Sequence, residues 1–272
     1  MTEQLFDAVD AAIRDAAARA VTPRWRLLED GAVSEKAPGE WVTDADLEAE
    51  QLLTDALQVL EPGVPVVGEE AAAQHPSIVA AAGEHERVWL LDPLDGTRSF
   101  IAGSPDFATM VALVERGMTT AAWVWQPVHA HMYVAVRGGG LSRDGEPLTR
   151  PADLGVGSPL RGVQRTSLMP GPLRNAVEPA FASAGLPAAD VLAAGVAYPQ
   201  LCEGLLDYAL YWRTLPWDHA PGELFAHEAG LVSRRLDGST YRPWDGRRGL
   251  LTAANQQVWD AIRELLPEDP EI

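Results

Sequence analysis

Residues 89–100 read WLLDPLDGTRSF, and the architecture of the chain turns on how that stretch is understood. An apolar run of this kind predicts a strand in the core, yet a core does not accept two bare carboxylates. Burying an unpaired charge is costly enough that such groups are paired or hold a metal ion. Asp92-Pro93 and Asp95-Gly96 are also ordinary turn dipeptides, so the stretch taken alone reads as a surface turn. The rest of the chain separates the two readings.

The chain has 272 residues, enough for one large domain or two modest ones sharing a core, and its 47% hydrophobic and 22% charged residues are those of an ordinary globular protein. No apolar run reaches the length of a membrane span. The first twenty residues, MTEQLFDAVDAAIRDAAARA, lack the basic start and apolar centre of a signal peptide. In them Leu5, Val9, Ala12, Ile13, Ala16 and Ala20 repeat at helical spacing and predict an amphipathic helix belonging to the fold. The single cysteine, Cys202, has no intramolecular disulfide partner and is expected to be a buried thiol in a cytoplasmic protein. A net charge of −18 argues against nucleic acid or an anionic membrane as partner. The same field would repel an anionic substrate, so a local cation would have to attract it, and metal ions held by carboxylates would serve. Of the 21 basic residues 20 are arginine, and Lys36 is the only lysine.

No internal repeat, low-complexity tract or long linker appears. A helix is predicted from Asp44 to Leu60, capped by Thr43 or Asp44 and ended by Glu61-Pro62-Gly63. VPVVGEE (64–70) predicts a short strand ending in two glutamates, a helical piece covers 78–82, and VWLLD (88–92) is a second strand with its acid at the C-terminal end. Residues 107–148 have the texture of an antiparallel meander. Beyond about residue 150 helix and strand alternate: 170–185 helical, 190–195 extended, 206–212 extended, 218–230 helical, 231–244 a hairpin, 249–254 a strand, then a helix from Asn255 to Leu266. This order predicts two packed sheets with helices between and outside them, in an N-terminal half (1–150) and a C-terminal half (151–272).

Three acidic groups fall at comparable places: Glu69 and Glu70 after one strand, Asp92 and Asp95 after another, and Asp218 at a helix start, where it reads as an N-cap. Carboxylates with carbonyl and water ligands select hard divalent ions, of which Mg²⁺ is the usual partner of phosphate. The intervening carbonyl of Leu94 can join Asp92 and Asp95, and the backbone N–H groups of Gly96 and Thr97 offer a phosphate cradle at a helix start. The Thr97 hydroxyl could orient a water beside a metal.

DPLDGTRSF (92–100), with GEE (68–70) upstream and WDHAPGELFAHEAG (217–230) downstream, resembles the inositol monophosphatase family of Mg²⁺-dependent, lithium-sensitive phosphatases. That family also includes histidinol-phosphate, bisphosphate-nucleotide and some fructose-bisphosphate phosphatases. The three motifs occur in order, and the similarity runs from about Lys36 to Asn255. The resemblance implies a layered αβαβα sandwich, an α+β arrangement of two sheets with interleaved helices. It further implies two or three Mg²⁺ ions, a homodimer and a small phosphorylated metabolite as substrate. Carried over residue by residue, it makes Glu69 a metal ligand and Asp92 the bridging one. Leu94 gives its carbonyl, and Asp95 and Asp218 hold the second ion. Thr97 resembles the threonine that, with the glutamate, positions the attacking water, and Asp46 resembles an aspartate that orients that threonine. Lys36 resembles a lysine on a mobile loop near the metals.

The chain departs from the family at several places. Pro221 replaces a small residue, Leu231 stands where a glycine is usual, and Tyr211 falls where inositol-specific members carry a glutamate for the ring hydroxyls. Tyr198, Tyr211 and Arg213 are therefore the candidates for the leaving-group pocket. Inositol phosphate, histidinol phosphate and sugar bisphosphates stay open as substrates, and a non-catalytic metal- or phosphate-binding homologue is the alternative.

Overall fold

A computed structural model describes residues 2–268 apart from 30, 38, 152–159 and 187–191. The amphipathic start forms α1 (Glu3–Ala16), continued by one π-helical turn through Val21. Two short strands that sequence alone does not announce, β1 (Val33–Ala37) and β2 (Glu40–Thr43), pair as an antiparallel hairpin. Helix α2 (Asp44–Leu60) follows with the predicted bounds and Thr43 as its N-cap. Seven strands then build the larger sheet in sequential order: β3 (Val66–Gly68), β4 (Arg87–Asp95), β5 (Ala108–Glu115), β6 (Met118–Gln126), β7 (His131–Val136), β8 (Gly140–Arg143) and β9 (Glu146–Pro147). Only β3 and β4 are parallel, because α3 (Glu69–Gln74) and α4 (Ser77–Ala82) cross between them. The short helix α5 (Thr97–Ile101) interrupts the meander directly after β4.

A smaller four-stranded sheet, ordered β10-β11-β13-β12, comes from β10 (Gly162–Arg165), β11 (Tyr208–Tyr211), β12 (Val232–Arg235) and β13 (Leu250–Ala253). Helices α6 (Gly171–Ser183), α7 (Ala194–Cys202), α8 (Pro216–Glu228) and α9 (Gln256–Arg263) are the remaining α-helices among the described residues.

Strand alternation sorts these into five layers. Trp89 and Leu91 of β4 pack with Val9 and Ile13 of α1 and Leu53 and Leu57 of α2. Leu90, one residue out of phase, faces the other way, toward Ala197 and Leu201 of α7 and Phe225 of α8. Ala209 and Tyr211 of β11 join that same central cluster, whereas Tyr208 and Leu210 pack with Phe181 of α6 and Ile262 of α9. The layers run α1/α2, large sheet, α7/α8, small sheet, α6/α9, which is the expected αβαβα sandwich. A strand covered on both faces has no polar alternation, which is why WLLD is continuously apolar.

Local expectations fail at three places. Residues 231–244 do not form a hairpin: Gly238 makes a turn back to Arg235, but β12 pairs with the distant β13, and the buried Arg235 guanidinium is held by Asp245. Of the predicted extended stretch 190–195, Asp190 and Val191 lie outside the described residues, and Ala194 and Gly195 open α7 instead. A short apolar run buried on all sides shows no period that separates helix from strand. Asp218 is not the N-cap of α8, since Pro216 takes the first helical position, for which its fixed φ is suited, and Leu215 precedes it as cap. The final helix does start after Asn255, whose side chain caps it, but ends at Arg263.

Candidate active site

Asp92 and Asp95 are three residues apart, and in a regular strand they would point to opposite faces. The pairing of β4 with β5 removes that conflict. Asp92 stands opposite Met110 and Asp95 opposite Ala108, so β4 carries one extra residue here, a β-bulge. The Thr109 hydroxyl donates to the Pro93 carbonyl at 2.9 Å and the Leu94 N–H to Asp92 Oδ1 at 3.0 Å, which pins the bulge. Both aspartates thereby face the layer that holds α7 and α8. Gly96 then adopts φ +88°, and an added Cβ there would lie 2.9 Å from Ala193 Cβ and 3.0 Å from the Asp106 carbonyl oxygen. Only glycine fits the turn that starts α5 at Thr97.

Glu69 is placed by a different device. It is the first residue of α3, whose next two N–H groups, from Glu70 and Ala71, donate to the Glu50 carboxylate at 2.8 and 2.7 Å. Gly68 leaves room for that cap, since a Cβ there would sit 2.3 Å from Glu50 Cδ. Asp218 arrives from the first turn of α8. Oxygen atoms of Glu69, Asp92 and Asp218 converge within 4.8 Å of one another on the wall of an open cleft. Asp95 and Leu94 line the same cleft. Asp95 stands outside the tight triad, with Oδ2 accepting from the Gly195 N–H at 2.5 Å.

Burial pushes the carboxyl pKa of Asp92 and Asp218 well above the usual range, and the neighbouring acids Glu69 and Asp95 add to it. Asp95 rises to about 6 for the same reason, with the Gly195 and Gly96 N–H groups offsetting part of the burial. Asp92 is only 1% exposed. Buried, mutually repelling carboxylates of this kind form the hard oxygen donor set that suits a divalent cation.

Thr97 Oγ1 has one proton and two acceptors in reach, Asp46 Oδ1 at 3.2 Å and the Leu94 carbonyl at 3.1 Å. Asp46 is itself fixed, its Oδ2 accepting from the Thr43 N–H at 2.7 Å and the Thr43 hydroxyl at 2.6 Å, in the capping box of α2. Burial raises Asp46 to about 6. With its proton engaged inward, the Thr97 hydroxyl keeps lone pairs for a group in the cleft. Lys36 lies on β1 rather than on a loop, and its ammonium reaches Glu69 at 2.6 Å and Glu70 at 2.5 Å. Burial opposes the charge, but the two glutamates outweigh it and hold the ammonium above its ordinary pKa.

Tyr198 and Tyr211 are not brought to the cleft. They are 1% and 3% exposed, stack on each other with ring centroids 6.0 Å apart, and belong to the central core. The His219 ring packs against both, with Nε2 3.2 Å from the Arg213 carbonyl and Nδ1 3.0 Å from the Tyr198 hydroxyl. A carbonyl only accepts, so Nε2 carries the proton and Nδ1 accepts from Tyr198. Burial lowers the His219 pKa to about 3, consistent with that neutral tautomer. The expectation that the two tyrosines wall the leaving group is corrected: inward alternation on β11 and packing against Gly222 take them into the core, where a Cβ on Gly222 would meet the Tyr198 ring at 2.0 Å. Arg213 does line the cleft, ion-paired with Glu40 of β2. Cys202 is fully buried, and burial raises its thiol pKa.

Sequence reasoning missed Glu50, Arg165 and the hairpin that brings Glu40 and Trp41 to the cleft. Glu50 and Arg165 lie in no motif. Their places follow from contacts across 20 residues and from the end of a strand, for which local sequence holds no signal.

The inositol monophosphatase family is matched over residues 2–268. A probable inositol 1-monophosphatase ImpA of Mycobacterium tuberculosis is 31% identical over 250 residues, covering 88% of each chain. A Nus factor SuhB of Pseudomonas aeruginosa is 32% identical over 217 residues, covering 76% of each. Among solved structures, inositol monophosphatase II from Staphylococcus aureus superposes with a TM-score of 0.81 at 19% identity, covering 99% of this chain and 96% of that one.

Proposed function

The chain belongs to the inositol monophosphatase family, and from that premise we propose that it is a Mg²⁺-dependent phosphomonoesterase that hydrolyses a small phosphorylated metabolite by direct attack of water. The observation that carries the reading is the convergence of Glu69, Asp92 and Asp218 within 4.8 Å, beside the oriented hydroxyl of Thr97. Glu69, Asp92, Asp218, Asp95 and the Leu94 carbonyl would hold the metal, which when bound neutralises phosphoryl charge and lowers the pKa of a coordinated water.

The residues of the chain do the rest. Thr97 and Glu69 orient the water, and Asp46 and the Leu94 carbonyl keep the threonine proton turned inward so that the hydroxyl presents an acceptor. Gly96 and Thr97 line the cleft at the start of α5, and the Thr97 N–H would serve as a donor to phosphoryl oxygens. Lys36, tied to Glu69 and Glu70, places a positive charge beside the acidic triad. No nucleophilic side chain is required, and Cys202 is too deeply buried to be one. Retention of the Asp46–Thr97 pair favours hydrolysis over a binding-only role, because simple metal or phosphate binding has no use for an oriented hydroxyl.

The test is inorganic phosphate release over a panel of inositol 1-phosphate, histidinol phosphate, sugar bisphosphates and glycerol 2-phosphate, with and without Mg²⁺. Turnover that needs Mg²⁺ and falls more than about a hundredfold in Asp218→Asn is expected. Absence of turnover on every ester, or trapping of a phosphorylated protein, would overturn the reading.

A further inference from the structure

Arg165 ends β10 on the wall of the cleft, and in the parallel pairing of β10 with β11 it stands opposite Tyr211, two residues before Arg213. The two guanidinium groups thus leave the same end of neighbouring strands. Arg213 is committed to Glu40. Among the described residues the Arg165 guanidinium donates no hydrogen bond and has no carboxylate within 4.0 Å, although the chain carries 39 acidic residues against 21 basic ones. In such a chain a partly buried guanidinium left without a partner is conspicuous, since a fixed fork of five donors is costly to desolvate unless an acceptor arrives. With metal on the acidic triad, the nearby carboxylates no longer need Arg165 as their counter-charge. Its donors then face whatever the cleft binds.

We propose that Arg165 recognises a second anionic group, a phosphate or carboxylate, on the leaving-group side of the substrate. The preferred substrates are then phosphate esters of an already anionic alcohol, rather than of a neutral polyol. Planar carboxylate and phosphate oxygens match the guanidinium fork in a bidentate way that a ring hydroxyl does not. Ser167, two residues on and also lining the cleft, adds a hydroxyl donor at the same rim. The inference rests on the phosphomonoesterase reading and names its substrate class.

Two matched pairs test it at saturating Mg²⁺: 2-phosphoglycerate against glycerol 2-phosphate, and fructose 1,6-bisphosphate against fructose 1-phosphate. The first pair differs only in carboxylate against CH₂OH and the second in a second phosphate, so the arms distinguish the two sources of charge. The parent is expected to favour the more anionic member of at least one pair by about ten- to a hundredfold in kcat/KM, the range of a charge-assisted hydrogen bond. Arg165→Gln should bring that ratio to near one, chiefly through KM, and Arg165→Lys should keep part of it. A parent ratio near one in both pairs, or equal losses on both members of a pair in Arg165→Gln, would overturn the inference while leaving the phosphatase intact. If none of the four esters is hydrolysed, the underlying reading fails with it. Should Arg165→Gln melt far below the parent, the parent ratios and Arg165→Lys still decide.

Discussion

At the scale of single residues, Thr97 and Tyr211 show what side chains of similar polarity do in different settings. Thr97 sits at the cleft with its proton taken by Asp46 or Leu94. Thr97→Val keeps the branched shape and loses only the hydroxyl. It is expected to cut turnover by more than about a hundredfold with the melting temperature unchanged, in phosphate-release assays and thermal melts run side by side. Near-parental turnover would remove Thr97 from the chemistry. The Tyr211 hydroxyl, by contrast, is buried with no hydrogen-bond partner among the described residues. Leaving such a group unmade costs about 1–3 kcal/mol, so Tyr211→Phe should be neutral or stabilising by about 1 kcal/mol in urea unfolding and silent in kcat/KM. A large loss of activity would return Tyr211 to the substrate pocket from which the geometry has removed it. The motif residues 92–97 were legible because they are contiguous. Tyr211 was misplaced because its neighbours come from α7 and α8, far along the chain.

Elements carry the next set of consequences. Helix α3 has only six residues, too few to hold itself, and is started by the Glu50 carboxylate reaching across from α2. Because Glu69 is its first residue, the cap also fixes a proposed ligand. Glu50→Gln keeps the shape but loses the charge on both bonds. It should cost about 1–3 kcal/mol and raise the Mg²⁺ concentration for half-maximal activity. Urea titration and a Mg²⁺ titration of the same variant check both parts, and an unchanged Mg²⁺ requirement would confine Glu50 to stability. Helix α2 was predicted with its bounds because its cap and apolar stripe are local. The β1–β2 hairpin was not, since its strands are short and half-buried and are tied to the rest by Lys36, Glu40 and the Gly39 carbonyl.

Across the whole molecule, the site is a cluster of acids in a chain of net charge −18, and its protonation couples to folding. Asp46 and Asp95 rise to about 6 and Glu70 to about 7, chiefly through burial, and burial raises Asp92 and Asp218 as well. Between pH ~4 and ~7 the metal-free native state therefore holds protons that the unfolded chain has released, so its stability falls as pH rises. His219, lowered to about 3, acts in the opposite sense, but it is one group against these five. In chelator the melting temperature should drop from pH 5 to pH 7.5, and Mg²⁺ should flatten or reverse that slope by binding the ionised carboxylates. Melting curves at the two pH values with and without Mg²⁺ check this, and a rise with pH in chelator would contradict it. The sequence by itself determined the family and the layered fold and pointed to the acids of the candidate site, because strand periodicity, helix caps and a contiguous loop motif are local and depend on nearest neighbours. Tertiary structure alone decided that a one-residue bulge turns Asp92 and Asp95 to the same face, that the tyrosines point into the core, and that the Arg165 guanidinium stands at the cleft without a partner among the described residues. Each of these depends on register and on which face of a strand is covered, and register is fixed by partners that lie far away in the chain.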